Sequence, residues 1–143
     1  MNAPEIPGKI DENAWLVDNL EIAMGHWLGC GFGPFFVTRM DMPEVRYRGR
    51  DVPLSLKIAM ARAGEVQIEL IQQLNDGPSA FRDVYPVGQS GLHHIRRKAV
   101  GRPGDTDDYD ALVTNFARQG IEIAMEMRFG PLRIGYVDTR ATL

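Results

Sequence analysis

The stretch Asp11 to Leu28, D-E-N-A-W-L-V-D-N-L-E-I-A-M-G-H-W-L, decides the fold. Its first part reads as a strand, opened by Glu12. In its second part Leu20, Ala23, Met24, Trp27 and Leu28 recur at i, i+3, i+4, i+7 and i+8, which places all five on one face of a helix. Asp18, with Glu21 three residues later, has the pattern of a capping box, and Gly29, Gly31 and Gly33 end the helix. A strand followed by a one-faced helix predicts a helix lying on a sheet. The same arrangement returns downstream. Tyr109, Leu112, Val113, Phe116 and Ala117 repeat the spacing, Asp107 and Asp108 supply a cap, and Gly120 sits where a C′ glycine belongs.

Between the helices the pattern is strand-like. Phe35 to Thr38 is aromatic and β-branched, and Leu54, Leu56, Ile58 and Met60 alternate with polar or small residues. Ala63-Gly64-Glu65 reads as a turn into a second alternating run around Val66, Ile68 and Leu70, and Asn75-Asp76-Gly77-Pro78 breaks it. Arg46, Tyr47, Arg48 and Arg50 fall in another alternating stretch, with the arginines on one side if it is extended. Beyond the breaker come a strand over 92–100, the second helix, and strands over 121–127 and 132–137. Each half therefore reads strand, helix, strands, and an internal repeat of this kind outranks any single motif as evidence for architecture. Three strands follow the first helix, near 35–38, 54–61 and 66–72, whereas only two follow the second.

Composition bounds the rest. The 143 residues suit one domain, and 44% hydrophobic against 24% charged residues excludes a disordered tail or a fibre. A net charge of −3 offers no field for nucleic acid or anionic lipid. The single cysteine, Cys30, excludes an intrachain disulfide framework. The start, M-N-A-P-E-I-P-G-K-I, has neither a basic n-region nor an apolar h-region, and no apolar run approaches a membrane span of about 18 residues. The expectation is a cytoplasmic protein with a small-molecule partner, without nucleic acid or membrane.

The informative polar residues lie inside the strands. Glu69 stands in V-Q-I-E-L-I, His93 and His94 follow Gly91-Leu92, and Glu12 opens the first strand. Carboxylates and an imidazole on neighbouring strands can converge on a divalent cation such as zinc, manganese, iron, cobalt or nickel. Taken singly, Glu69 and Glu12 also read as solvated carboxylates and His94 as a hydrogen-bonded histidine. Neighbours on a strand point to opposite sides, so His93 is expected to be structural or to face outward.

D-E-N-A-W-L-V-D-N-L-E, V-Q-I-E-L-I-Q-Q, D-G-P-S-A-F-R and G-L-H-H-I together resemble the vicinal oxygen chelate superfamily, also called the glyoxalase/bleomycin resistance/dioxygenase superfamily, in its glyoxalase-like branch. The resemblance implies an α+β fold of two βαβββ modules whose mixed sheets curl around a central groove. Here they would span 9–86 and 87–143 of one structural domain, the second lacking its last strand. It implies that Glu69 and His94 are metal ligands. Glu12 falls where metal-binding relatives usually carry histidine or glutamine, and the fourth ligand would lie on the absent strand. The implied activity is that of a divalent-metal-dependent isomerase, epimerase or lyase on a small carbonyl or carboxylate compound, with Glu69 and Glu12 as catalytic carboxylates. The alternatives are a non-catalytic sequestering protein of the bleomycin-resistance type and an extradiol-type dioxygenase. An unclosed sheet also suggests a homodimer.

Arg96, Arg97 and Lys98 depart from the apolar strand of relatives, so this strand is an edge, is irregular, or binds an anion. Arg46, Arg48 and Arg50 read as a charged edge strand or an anion-binding rim. Trp15, Trp27, Phe35, Phe36, Met24, Met60 and Met125 are expected in the core, Cys30 as a small buried filler, and His26 at the boundary of its helix.

Overall fold

A computed structural model describes residues 10–97 and 107–142. In chain order the elements are β1 (Ile10–Leu16), α1 (Leu20–Gly29), β2 (Phe36–Tyr47), β3 (Arg50–Ala63), β4 (Val66–Gln73), β5 (Gly91–Arg97), α2 (Asp107–Arg118), β6 (Ile123–Phe129) and β7 (Leu132–Val137), followed by a 3₁₀ turn at Arg140–Thr142. The strands form one seven-stranded sheet in the order β5-β1-β4-β3-β2-β6-β7. Among the described residues only the β1–β4 pair is parallel. The first half is thus a βαβββ unit. The second half has a strand, a helix and two strands, and no strand follows β7 among the described residues, in line with the two strands expected after the second helix.

The sheet curls until its two ends meet. The Tyr136 ring on β7 lies 5.1 Å from the His94 ring on β5, centroid to centroid, and 5.3 Å from Phe81. Period-two alternation divides the core between the two faces of this curl. On the outer face Val17, Ala59, Ile68 and Leu70 pack against Leu20 of α1, with Trp15, Met24 and Trp27 around them. On the inner face Leu16, Leu54, Leu56, Ile71, Phe81 and Met125 are buried together. Each such apolar side chain stabilises the fold by roughly 1.5–3 kcal/mol relative to exposure. On β4, Ile68 and Leu70 serve the outer face, so Glu69 must point into the curl.

Several local details differ from the sequence reading. The N-cap of α1 is Asn19, whose side chain accepts a hydrogen bond from the Ile22 N–H at 3.0 Å. Pairing with β4 continues through Val17, whose N–H donates to the Ile71 carbonyl at 2.8 Å, so the helix starts one residue later than a cap at Asp18 would place it. Asp18 instead accepts from the Gly88 N–H at 3.1 Å. Strand β2 continues far beyond Thr38, pairing with β3 from Phe36 to Tyr47. An irregularity between Met42 and Val45 accommodates Pro43, which has no N–H for the ladder. The arginines do not share a rim. Arg48 (φ 42°) and Gly49 (φ 83°) form the two-residue hairpin turn, where positive φ is required. Arg46 pairs with Asp51, while Arg48 turns toward Asp83, Glu122 and Asp138.

Three apolar assignments also change. Phe36 is 73% exposed, because it stands at the mouth of the groove, and Leu28 is 53% exposed, because the helix ends beside it. Cys30 occupies the exposed C-cap of α1. Trp15, Trp27 and Phe35 are partly buried against the core, as expected. Lys98, residues 98–100 of the expected strand, and the side chains of Asp107 and Asp108 lie outside the described residues.

Candidate metal centre

The inner face of three adjacent strands builds the site. β4 lies on one side of β1 and β5 on the other, so Ala14 pairs with Glu69 across one ladder and with His94 across the other. Glu12 lies two residues before Ala14 and faces the same way. Only the methyl group of Ala14 stands between Glu69 and His94, which leaves their longer side chains room to converge. His94 Nε2 is 3.9 Å from Glu12 Oε1 and 3.9 Å from Glu69 Oε2. One ligand atom from each of the three residues falls within a 4.8 Å span.

Glu12 is buried, 3% exposed, which corrects its reading as a solvated carboxylate. Its partners make burial tolerable. Arg96 Nη1 donates to Glu12 Oε2 at 2.9 Å, and Gln67 Nε2 donates to the same oxygen. Arg96 is held in turn by Asp11, with Nε to Oδ1 at 2.9 Å. The first cation of the Arg-Arg-Lys run therefore turns inward to an acidic pair, on a strand that is a sheet edge among the described residues.

Burial, reinforced by the charge of Glu12 and opposed by Arg96, pushes the Glu69 carboxyl well above the ordinary carboxylate range. Burial also holds His94 down at about 3, with His93 and Arg96 adding to the effect. The metal-free centre therefore favours a protonated Glu69 beside a neutral imidazole. Burial, with Glu69 and Glu12 beyond it, raises the Tyr136 phenol, which stays a hydrogen-bond donor at neutral pH.

The donor set fits a divalent cation. Two carboxylates and one imidazole are the mixture that zinc, manganese and iron accept, and three protein donors leave coordination positions open for water or substrate. Donors about 2.1 Å from one ion stand about 3.0–3.4 Å apart, so small side-chain shifts suffice to close the observed spacing. A cleft of about 270 Å³ opens alongside, lined by Gly33, Pro34, Phe36, Met60, Ala61, Arg62 and Gln67. It adjoins the centre through Met60, which pairs with Glu69, and through Gln67, which holds Glu12.

His93 is the main surprise. Between Ala14 and Trp15 the β1–β5 register skips a residue, because Ala14 pairs with His94 and Trp15 with Leu92. The resulting bulge turns both histidines inward, their Nδ1 atoms 2.8 Å apart. A bulge leaves no trace in periodicity, so alternation placed His93 outside. Gln67, Arg96 and Tyr136 were not singled out as site residues either. Only the cation run hinted at one of them.

The sequence matches the Glyoxalase/Bleomycin resistance protein/Dioxygenase superfamily over residues 13–136. No curated protein sequence matches the chain significantly. Among solved structures, a hypothetical protein from Bacillus halodurans superposes with a TM-score of 0.59 at 15% identity, covering 94% of this chain and 87% of that one. Methylmalonyl-CoA epimerase from Mycobacterium tuberculosis superposes with a TM-score of 0.59 at 14% identity, covering 99% of this chain and 86% of that one. At such identities the two structures speak to the fold alone. No helix among the described residues is long and apolar enough to cross a membrane. The chain belongs to the Glyoxalase/Bleomycin resistance protein/Dioxygenase superfamily.

Proposed function

We propose that the chain is a divalent-metal-dependent isomerase, epimerase or lyase that moves a proton next to a carbonyl or carboxylate of a small molecule. The observation that carries this reading is the convergence of Glu12, Glu69 and His94 on one buried point beside an open cleft. Glu12, Glu69 and His94 would hold the ion, which when bound would supply Lewis-acid polarisation of a substrate oxygen.

The remaining chemistry belongs to the side chains. Glu12 is tied by Arg96 and Gln67, so it serves as an anchor. Glu69 has two carboxylate oxygens, and the one that does not face the ion would take the proton from the carbon next to the carbonyl and return it. Tyr136 donates a hydrogen bond from its phenol to a substrate oxygen. The apolar wall of Pro34, Phe36 and Met60 receives the hydrocarbon part of the substrate and excludes water from the exchanging proton.

Metal analysis after chelation and reconstitution tests this. About one ion per chain is expected, with binding lost in His94→Ala. Failure of the wild type to bind, or unchanged affinity in that variant, overturns the reading. One observation favours a second reading, a non-catalytic sequestering site: Arg96 already supplies Glu12 with a cation that an ion would otherwise supply. Thermal stabilisation by an organic ligand that persists in chelator would select that alternative.

A further inference from the structure

We infer that His93 is a positioning residue that fixes the proton of His94 on Nδ1 and so leaves the His94 Nε2 lone pair aimed between Glu12 and Glu69. The argument is one of donors and acceptors. His93 Nε2 lies 2.8 Å from the carbonyl oxygen of Ala80. A carbonyl oxygen only accepts, so His93 Nε2 carries a hydrogen and donates it. The ring of His93 packs against Phe81, with centroids 5.0 Å apart, and against Tyr136 at 6.4 Å, surroundings that suit a neutral imidazole. A neutral ring protonated on Nε2 presents a bare lone pair at Nδ1. That atom is 2.8 Å from His94 Nδ1, so the proton between them belongs to His94. With the opposite tautomer of His94, two lone pairs would face each other at this distance. The second nitrogen of His94 is then unprotonated, and it is the one 3.9 Å from both Glu12 Oε1 and Glu69 Oε2.

The start of this chain is itself rigid. Gln73 Nε2 donates to the carbonyls of Asn75 and Gly77 at 3.0 and 2.8 Å, and Ser79 Oγ donates to Gln73 Oε1 at 2.6 Å. These bonds hold the turn that presents the Ala80 carbonyl. The D-G-P-S-A-F segment and the Gly-Leu-His-His segment are thereby one device: the first supplies a fixed acceptor, and the second relays it to the ligand nitrogen. Hydrogen bonds of this kind set the tautomer and ring orientation of a metal-binding histidine.

The consequence for metal binding rests on the function proposed above, but the proton placement does not. Imidazole ¹H–¹⁵N spectra of the metal-free full chain read it directly. The expected result is His94 protonated on Nδ1 and bare on Nε2. His93→Phe keeps the ring packing but removes the acceptor, and is expected to populate the Nε2-protonated form and weaken zinc binding at least tenfold. His93→Gln can donate to Ala80 and accept from His94, and is expected to restore both. A wild-type His94 protonated on Nε2 overturns the inference, as does a His93→Phe variant with unchanged tautomer and zinc affinity. If His93→Phe fails to fold, the wild-type spectrum and the Gln variant still decide. A wild type with the expected tautomer but no zinc binding refutes the metal reading and leaves the proton placement standing.

Discussion

Two polar clusters lie on this sheet, one inside its curl and one around the β2–β3 turn, and their charges are arranged in opposite ways. At the Arg48 hub one guanidinium meets Asp83 and Asp138 at 2.8 Å each and reaches Glu122 as well. Tyr47 adds a hydrogen bond from its hydroxyl to Asp83 at 2.6 Å. Asp138 and Arg48 are pushed toward their charged forms: hydrogen bonds from Arg140 and Arg48 hold Asp138 well below the ordinary range, and those to Asp138 and Asp83 raise Arg48. At the candidate metal centre Glu69 and His94 are pushed toward their neutral forms, and Arg96 balances only part of the acid. The hub shares the Arg48 guanidinium among three acids, with Arg140 beside Asp138, and ties the β2–β3 turn to the ends of the second half. The centre is left short of a cation, which is the condition under which a protein binds one.

This contrast makes neutralising substitutions act differently in the two places. Arg48→Met should destabilise the protein by about 3 kcal/mol, because Asp83 and Asp138 lose the guanidinium they share and Asp83 is left to the Tyr47 hydroxyl. Urea denaturation measures this, and a loss below about 1 kcal/mol would show that the hub is an ordinary surface network. His94→Ala should leave folding nearly intact while weakening divalent-metal binding at least 100-fold, equivalent to about 2.7 kcal/mol. A metal competition titration reads the difference. Equal destabilisation by the two substitutions would erase the distinction between the clusters. Glu69→Gln, finally, should stabilise the metal-free protein at pH 8 by about 1 kcal/mol, since it removes the need to ionise a buried carboxyl. It should abolish stabilisation by added metal at the same time.

The sequence made the hub and the centre visible to different degrees. The alternation of Val66, Ile68 and Leu70 marks β4 and already implies that Glu69 faces the other way. The spacing from Leu20 to Trp27 marks α1 and the face it buries. His94 and Glu69 are legible because they sit in G-L-H-H-I and V-Q-I-E-L-I, segments that carry the family resemblance. What stayed hidden depends on contacts far apart in the chain. Glu12 is buried because Gln67 and Arg96 reach it from β4 and β5. His93 turns inward because of a one-residue bulge. The hub joins residues 48, 83, 122 and 138, and no local pattern connects a turn arginine with three acids so distant. The full length of β2 stays hidden because the run from Phe35 to Thr38 and the stretch around Arg46 read as separate, although one strand joins them around a bulge near Pro43.

The smallest effect follows from the same contrast and concerns pH. In the metal-free protein, burial holds His93 and His94 below the ordinary histidine value of about 6.5. The unfolded chain therefore binds more protons at these two sites, and stability rises with pH until about 6.5. Glu69 works in the other direction. Its folded value is raised, so its contribution is fully present below the ordinary carboxylate value of about 4.3 and is lost as pH rises through the raised one. Below 6.5 the two imidazoles outweigh one carboxyl; above it only Glu69 still acts. The centre thus gives a stability maximum near pH 6.5 and a fall of about 0.5 kcal/mol by pH 8. The hub adds nothing in this window. Asp138 is shifted down, so its contribution is present above about pH 3.9 and is lost only in acid. Urea denaturation in chelator at pH 6.5 and 8 should show the fall in the wild type. It should be absent in Glu69→Gln, and absent again in the wild type saturated with metal, where Glu69 has already given up its proton. A fall that persists in Glu69→Gln would place its origin outside the centre and remove Glu69 as the group that distinguishes the two clusters.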